Sequence, residues 1–125
     1  MPSKKRILIV DDEADYTATL RERLEFEGYT VIEALEGRAA LDFLRSSAVD
    51  LIILDLMMPE VDGFEFLKGR GEVNEATAKT PIIVVTAFSE QLTQKQLGLI
   101  VDIPRLRKPF KVERLLKLMG EMTGR

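Results

Sequence analysis

Three continuous apolar runs divide the chain: Ile7-Leu8-Ile9-Val10, Leu51-Ile52-Ile53-Leu54 and Ile82-Ile83-Val84-Val85. They are short, rich in branched residues and free of polar alternation, the pattern of strands buried on both faces of a parallel sheet. Between them, apolar positions recur at helical spacing. Thr17, Leu20 and Leu24 form one stripe, and Ala40, Leu41 and Leu44 a second. Val112, Leu115, Leu116, Met119 and Met122 form a third. Each stripe reads as core packing.

Turn residues punctuate the same scheme. Gly28 stands where a C′ glycine would end the first helix, and Thr30–Ala34 then reads as a weaker second strand. Ser89 is placed to cap a helix running to Leu99. Gly69 and Gly71 are expected to end a short helix begun near Gly63, and the polar stretch 72–80 reads as a loop with some helical turn. A fifth strand over 103–106 contains Pro104, which an edge strand tolerates. Strand–helix alternation implies a parallel sheet with right-handed crossovers and helices on both faces. Five such units in 125 residues predict an α/β, flavodoxin-like, doubly wound five-stranded sheet with five helices.

Composition narrows the function classes. A length of 125 residues fits one domain, spanning 1–125, and buries roughly two-thirds of its unfolded surface. A formal charge of −3 argues against direct nucleic-acid binding, which usually needs a basic excess. Charge is uneven, however: residues 105–117 hold six basic side chains (Arg105, Arg107, Lys108, Lys111, Arg114, Lys117) against Glu113 alone. This is either a solvated helix face or a partner-docking patch. No cysteine and no histidine are present, which removes thiolate chemistry, Ser-His triads and imidazole metal ligands. The basic start Lys4-Lys5-Arg6 runs into a short strand rather than a secretory apolar region, and no apolar run could cross a bilayer. A cytoplasmic protein without membrane contact is expected.

The candidate chemistry lies where the strands stop. The first strong strand runs into Asp11 and Asp12, the third into Asp55 and the fourth into Thr86. Ligands of open α/β sheets bind outside the carboxyl ends of the strands, so three carboxylates and a hydroxyl are directed to one place. Crowded carboxylates need a cation, and an all-oxygen set suits Mg²⁺. Lys108, beyond the fifth strand, adds a point charge fit for a phosphoryl oxygen. Mg²⁺ and Lys⁺ together would neutralise the three carboxylates. Each signal has a bland counterpart, since an Asp-Asp pair after a strand is often a helix cap and turn. Only their joint occurrence at different strand ends is specific.

Those residues stand in motifs that resemble the receiver domains of two-component response regulators, over essentially the whole chain. The motifs are Ile7-Leu8-Ile9-Val10-Asp11-Asp12-Glu13, Leu54-Asp55-Leu56-Met57-Met58-Pro59 followed by Asp62-Gly63, Val85-Thr86-Ala87, and Lys108-Pro109-Phe110. The resemblance implies the strand order 2-1-3-4-5. It also implies that Asp55 is phosphorylated by attack on a phosphohistidine of a sensor histidine kinase or phosphotransfer protein. Asp12 would be a direct Mg²⁺ ligand and Asp11 a ligand acting largely through water, with Asp55 and the Met57 carbonyl completing the set. Thr86 would be the switch hydroxyl, Lys108 would bridge acceptor and phosphoryl group, and the Lys108–Pro109 bond would be cis. Such a domain regulates a separate output domain or protein target and catalyses only its own phosphorylation and dephosphorylation. A phosphorylation-dependent homodimer through the fourth helix, fifth strand and fifth helix stays open.

Two departures bear on output. Arg105 stands three residues before the lysine, where the family usually carries an aromatic or His that rotates inward, and a guanidinium is costly to bury unpaired. Leu99-Ile100-Val101-Asp102 lacks the small pair usual before the fifth strand, so that connection is expected to differ in shape. Two other readings fit the residues less well. An aspartyl-phosphate hydrolase would carry Asp-x-Asp, whereas Met57 stands two beyond Asp55, and a non-phosphorylated contact module would not need the acidic pair, Thr86 and Lys108. No Gly-rich phosphate loop follows a strand, which disfavours a nucleotide binder. Met57 and Phe88, two beyond the acceptor and the switch residue, are apolar and cannot orient an attacking water. Phosphate loss from the isolated chain in Mg²⁺ should therefore be slow, and Phe88→Glu should hasten it in a time course of the phosphorylated fraction.

Overall fold

The three apolar runs lie side by side at the centre of one parallel sheet. The computed structural model describes residues 4–56, 63–87 and 92–124. Its strands are β1 (Arg6–Val10), β2 (Thr30–Ala34), β3 (Leu51–Asp55), β4 (Ile82–Thr86) and β5 (Arg105–Arg107), in the order β2-β1-β3-β4-β5. Every neighbouring pair is parallel. β3 and β4 are buried at every position, whereas the edge strand β2 is only partly buried, with Thr30 exposed and Ile32 and Glu33 partly so. Burial on both faces explains why the central strands lack polar alternation.

Helices cover both faces: α1 (Ala14–Phe26), α2 (Gly37–Ser46), α3 (Gly63–Val73), α4 (Glu75–Ala78), α5 (Gln94–Leu99) and α6 (Val112–Thr123). Two apolar clusters result. Leu8, Val10, Ile52, Leu54 and Val84 pack with Ala40, Leu44 and Phe66 on one side. Ile7, Ile9, Leu51, Ile53, Ile83 and Val85 pack with Leu20, Leu24, Leu115 and Met119 on the other. The stripes assigned to α1, α2 and α6 supply these helix contacts, with Leu41, Val112, Leu116 and Met122 at their partly buried margins.

The expected elements need four corrections. The described residues contain six helices rather than five, because 72–80 is not a loop with an odd turn. It closes α3 and forms α4, which Asn74 caps by accepting the Thr77 N–H at 2.7 Å. Gly69 and Gly71 do not end α3, which continues to Val73. Glycine weakens a helix by about 1 kcal/mol, yet a Cβ on Gly69 would stand 2.9 Å from Leu41 Cδ1, so close packing of α2 on α3 favours it. Helix α5 starts from Thr93, whose hydroxyl accepts the Gln96 N–H at 3.1 Å while Gln96 Oε1 accepts the Thr93 N–H at 2.9 Å. That reciprocal box satisfies two backbone donors at the start of the helix; Ser89, the expected cap, lies outside the described residues. Finally, β5 begins after Pro104 instead of including it. The Pro104 carbonyl accepts the Val84 N–H at 2.9 Å, a role that needs no N–H of its own.

Gly63 connects the fold to the site. Its N–H donates to the Leu56 carbonyl at 2.9 Å, and an added Cβ would meet Leu56 Cα at 2.5 Å and Asp55 O at 2.9 Å. Only backbone displacement beside Asp55 could relieve that clash. Gly63→Ala should lower stability by about 1–3 kcal/mol, read as a reduced urea midpoint at unchanged slope. An unchanged midpoint would contradict this packing.

Candidate functional site

Side-chain alternation carries acidic residues to the carboxyl edge of the sheet. Ile7 and Ile9 face the cluster shared with α1 and α6, as do Leu51 and Ile53. Asp11 and Asp55 are two residues further along their strands, continuing the same face. Register brings them level, because Val10 pairs with Leu54 across β1 and β3. Asp12 joins from the turn into α1. One carboxylate oxygen from each of Asp11, Asp12 and Asp55 lies within 4.8 Å of the others. Asp11 and Asp55 are buried and Asp12 is exposed.

Lys108 closes the site from the far strand. Its Nζ donates to Asp11 Oδ2 at 2.7 Å, and lies 3.3 Å from Glu13 Oε1 and 3.5 Å from Asp55 Oδ2. Its side chain is only 11% exposed. Burial alone would push the ammonium pKa down. The hydrogen bond to Asp11 and the charges of Asp55 and Asp11, with Glu13 adding a further bond, reverse that and hold it above its ordinary value. The other Asp11 oxygen, Oδ1, accepts the Glu13 N–H at 3.0 Å. Asp11 thus also fulfils the bland expectation, fixing the turn before α1.

Thr86 is buried at the end of β4, and its carbonyl accepts the Lys108 N–H at 3.0 Å. The β4–β5 ladder therefore ties Thr86 and Lys108 together through the backbone. Arg105 opens β5 opposite Val84, with its side chain exposed rather than turned into the core. The Lys108–Pro109 peptide is cis, as the motif implies. Ile100 is fully buried between exposed Leu99 and Val101, a bulky anchor in the α5–β5 connection. Met57 and Phe88 lie outside the described residues. Of the basic stretch, Arg105, Arg107, Lys111, Arg114 and Lys117 are exposed, and Lys108 alone turns into the site.

Two participants were missed in the sequence. Glu13 was quoted only as part of a motif, although it contacts Lys108. Tyr16 had no assigned role, yet its ring centroid lies 4.4 Å from Lys108 Nζ. The ring meets Phe110 edge-on, with centroids 6.5 Å apart at 87°. The spacing of Tyr16 from Asp12 by one helical turn was the available signal. Burial raises the Tyr16 phenol to about 12, with Lys108 opposing the shift and Asp11, Glu13 and Asp55 reinforcing it.

Comparison with known proteins places these features in a family. The family described as response regulator receiver domain matches residues 7–119. The chain is 37% identical over 121 residues to Response regulator MprA of Mycolicibacterium vanbaalenii, covering 96% of this chain and 51% of the relative. It is 41% identical over 112 residues to Transcriptional regulatory protein CpxR of Escherichia coli K12, covering 89% and 46%. The chain thus spans about half the length of these relatives. Among solved structures, Vibrio cholerae chemotaxis protein CheY4 superimposes with a TM-score of 0.83 at 30% identity, covering 96% of this chain and 99% of that one. The receiver domain of sensor histidine kinase PA1611 from Pseudomonas aeruginosa, with a magnesium ion coordinated in its active-site cleft, gives 0.87 at 25% identity, covering 98% and 100%.

Lys108 and Tyr16 both hold their protons more tightly folded than unfolded. The stability they confer is complete below the unfolded values near 10 and is lost as pH climbs toward the folded ones. In a metal chelator, urea midpoints should therefore fall above about pH 10. In a Tyr29→Phe background, phenolate absorbance should emerge only near pH 12; emergence near pH 10 would contradict the buried Tyr16 environment.

Proposed function

The chain belongs to the response regulator receiver domain family, and on that premise we propose that Asp55 is its phosphoacceptor. The observation that carries this is the convergence of the Asp11, Asp12 and Asp55 carboxylates with the Lys108 ammonium at the ends of separate strands. The donor in our reading is a phosphohistidine of a sensor histidine kinase or phosphotransfer protein. An Asp55 carboxylate oxygen attacks phosphorus, the new O–P bond forms as the N–P bond breaks, and the N–P electron pair stays on the departing imidazole. No proton need leave Asp55, which reacts as the anion.

The donor set fits Mg²⁺: three carboxylates, no sulfur or nitrogen ligand, and one exposed member open to water. Asp12 would hold it directly, Asp11 largely through water, and Asp55 and the Met57 carbonyl would complete the protein ligands. When bound, Mg²⁺ supplies positive charge against the oxygens of the transferring phosphoryl group. Lys108, already protonated and 3.5 Å from Asp55, is placed to follow the acceptor oxygen and pair with the phosphoryl group. Thr86 is the switch hydroxyl in this reading, donating to a phosphoryl oxygen.

Phosphorylation replaces one negative charge at Asp55 by about two. A resting site whose Asp11, Asp12 and Asp55 charges are offset by Mg²⁺ and Lys108 becomes more negative, and the Lys108–Thr86 backbone link offers a route to β5. The face of β5 and α6, with Arg105, Arg107, Lys111, Arg114 and Lys117 exposed, is the surface we assign to switching toward a protein target or separate output domain. Receiver domains are regulatory, and we place residues 1–125 as one such unit acting in the cytoplasm, without direct nucleic-acid or membrane contact. Among the described residues no helix is long and apolar enough to cross a membrane. Arg105 takes the place of an inward-turning ring, so the readout is expected to run through charge on this face.

Incubation with a small acyl-phosphate donor, with and without Mg²⁺, tests the assignment by intact mass. A single phosphoryl group should be added only with Mg²⁺, and Asp55→Asn should abolish it. No adduct, or an equal adduct on Asp55→Asn, would overturn the assignment. Repeating the incubation on a sizing column reports whether phosphorylation also drives self-association.

A further inference from the structure

Among the described residues, the polar partners of the Lys108 ammonium are all carboxylates: Asp11, Glu13 and Asp55. Two of these belong to the acidic cluster proposed to hold Mg²⁺. A divalent ion on Asp11 and Asp55 draws their electron density away from the ammonium and repels it as a like charge. The attractions that aim Lys108 are therefore weakest in the loaded site, just when it must meet a phosphoryl oxygen.

Among the described residues the other neighbours are Glu13, which is exposed at the rim, and the Tyr16 ring. The ring presents its face 4.4 Å from Lys108 Nζ, within the range of a cation–π contact, and the lysine side chain is nearly buried. The ring is itself clamped. It stands edge-on to Phe110, two residues beyond Lys108, and both rings pack against the cluster that contains Leu20 and Leu115. Among the described residues its buried hydroxyl has no hydrogen-bond partner. The phenol oxygen thus does no visible work, and the aromatic face is what the position offers.

We propose that Tyr16 is a positioning residue for Lys108, its ring face holding the ammonium toward Asp55 when Asp11 and Asp55 are engaged by cation and phosphoryl group. This rests on the phosphoacceptor reading above. The hold comes from the ring quadrupole, so it does not depend on the charge left on Asp11 or Asp55. Phenylalanine should serve as well as tyrosine, and leucine should not.

The test uses the full chain as wild type, Tyr16→Phe and Tyr16→Leu, each phosphorylated by a small acyl-phosphate donor at saturating Mg²⁺. Tyr16→Leu should slow the reaction about five- to thirty-fold, the range of a partly to fully desolvated cation–π contact. Tyr16→Phe should match wild type, and Mg²⁺ half-saturation of Tyr16→Leu should not weaken, because a less fixed ammonium repels the ion less. Equal rates for wild type and Tyr16→Leu would overturn the proposal, as would a Tyr16→Phe rate as low as that of Tyr16→Leu. Parallel loss of Mg²⁺ affinity in Tyr16→Leu would also overturn it, marking a merely structural role. A second measurement needs neither phosphorylation nor a folded leucine variant. In Mg²⁺-loaded wild type and Tyr16→Phe, NMR should show the Lys108 ε-methylene protons shifted upfield by the ring, and their random-coil position would sink the proposal. If wild type takes no phosphoryl group while that shift is present, the phosphoacceptor reading fails and the positioning contact stands.

Discussion

Mutual repulsion among strand-end carboxylates is the constraint around which this protein is organised. Asp11 and Asp55 are both buried, with oxygens no more than 4.8 Å apart. At an effective dielectric of about 20, two such charges repel by roughly 3 kcal/mol. A fold that served stability alone would place apolar residues there. Lys108 offsets part of the cost by reaching from the opposite side of the site to both carboxylates, and its own burial is tolerated only because they are present. Remaining negative charge makes the site a receptor for a hard cation. Stability and chemistry are therefore set by the same four side chains.

The sheet supplies the precision. Asp11 and Asp55 extend adjacent strands in register, so their separation is set by the β1–β3 ladder and not by flexible loops. Lys108 arrives from β5, two strands away from β3, and its backbone is tied to Thr86. The same ladder pairs Thr86 with Arg107, on the strand that also bears Arg105. The acidic centre and the basic face are two ends of one hydrogen-bonded ladder. In the proposed reading, phosphorylation would add charge at the first and the second would sense it.

Glycine and tyrosine show how packing overrides local expectation near this centre. Gly63 is held against the backbone of Leu56 and Asp55, leaving no room for a Cβ. Among the described residues the buried Tyr16 hydroxyl has no partner, while its ring contacts Lys108 and Phe110. Both residues accept a local penalty for a close approach that benefits the site. Such departures are expected where function constrains the chain.

The sequence by itself determined the strands, their parallel class and the strand-end position of the chemistry. Burial of Ile7 to Val10, Leu51 to Leu54 and Ile82 to Val85 on both faces leaves an unbroken apolar signature, and Asp11, Asp12, Asp55 and Thr86 directly follow it. Local signals failed where a competing local signal was stronger or a distant contact intervened. The Thr93–Gln96 box starts α5 at Gln94, and α3 continues through Gly69 and Gly71 to Val73. The tertiary structure alone decided that Lys108 binds Asp11 most closely, that Glu13 shares it and that Tyr16 lies beneath it. Those contacts join residues 92 or more positions apart, brought together by strand order and register, and no local pattern of the chain encodes a distance across the sheet.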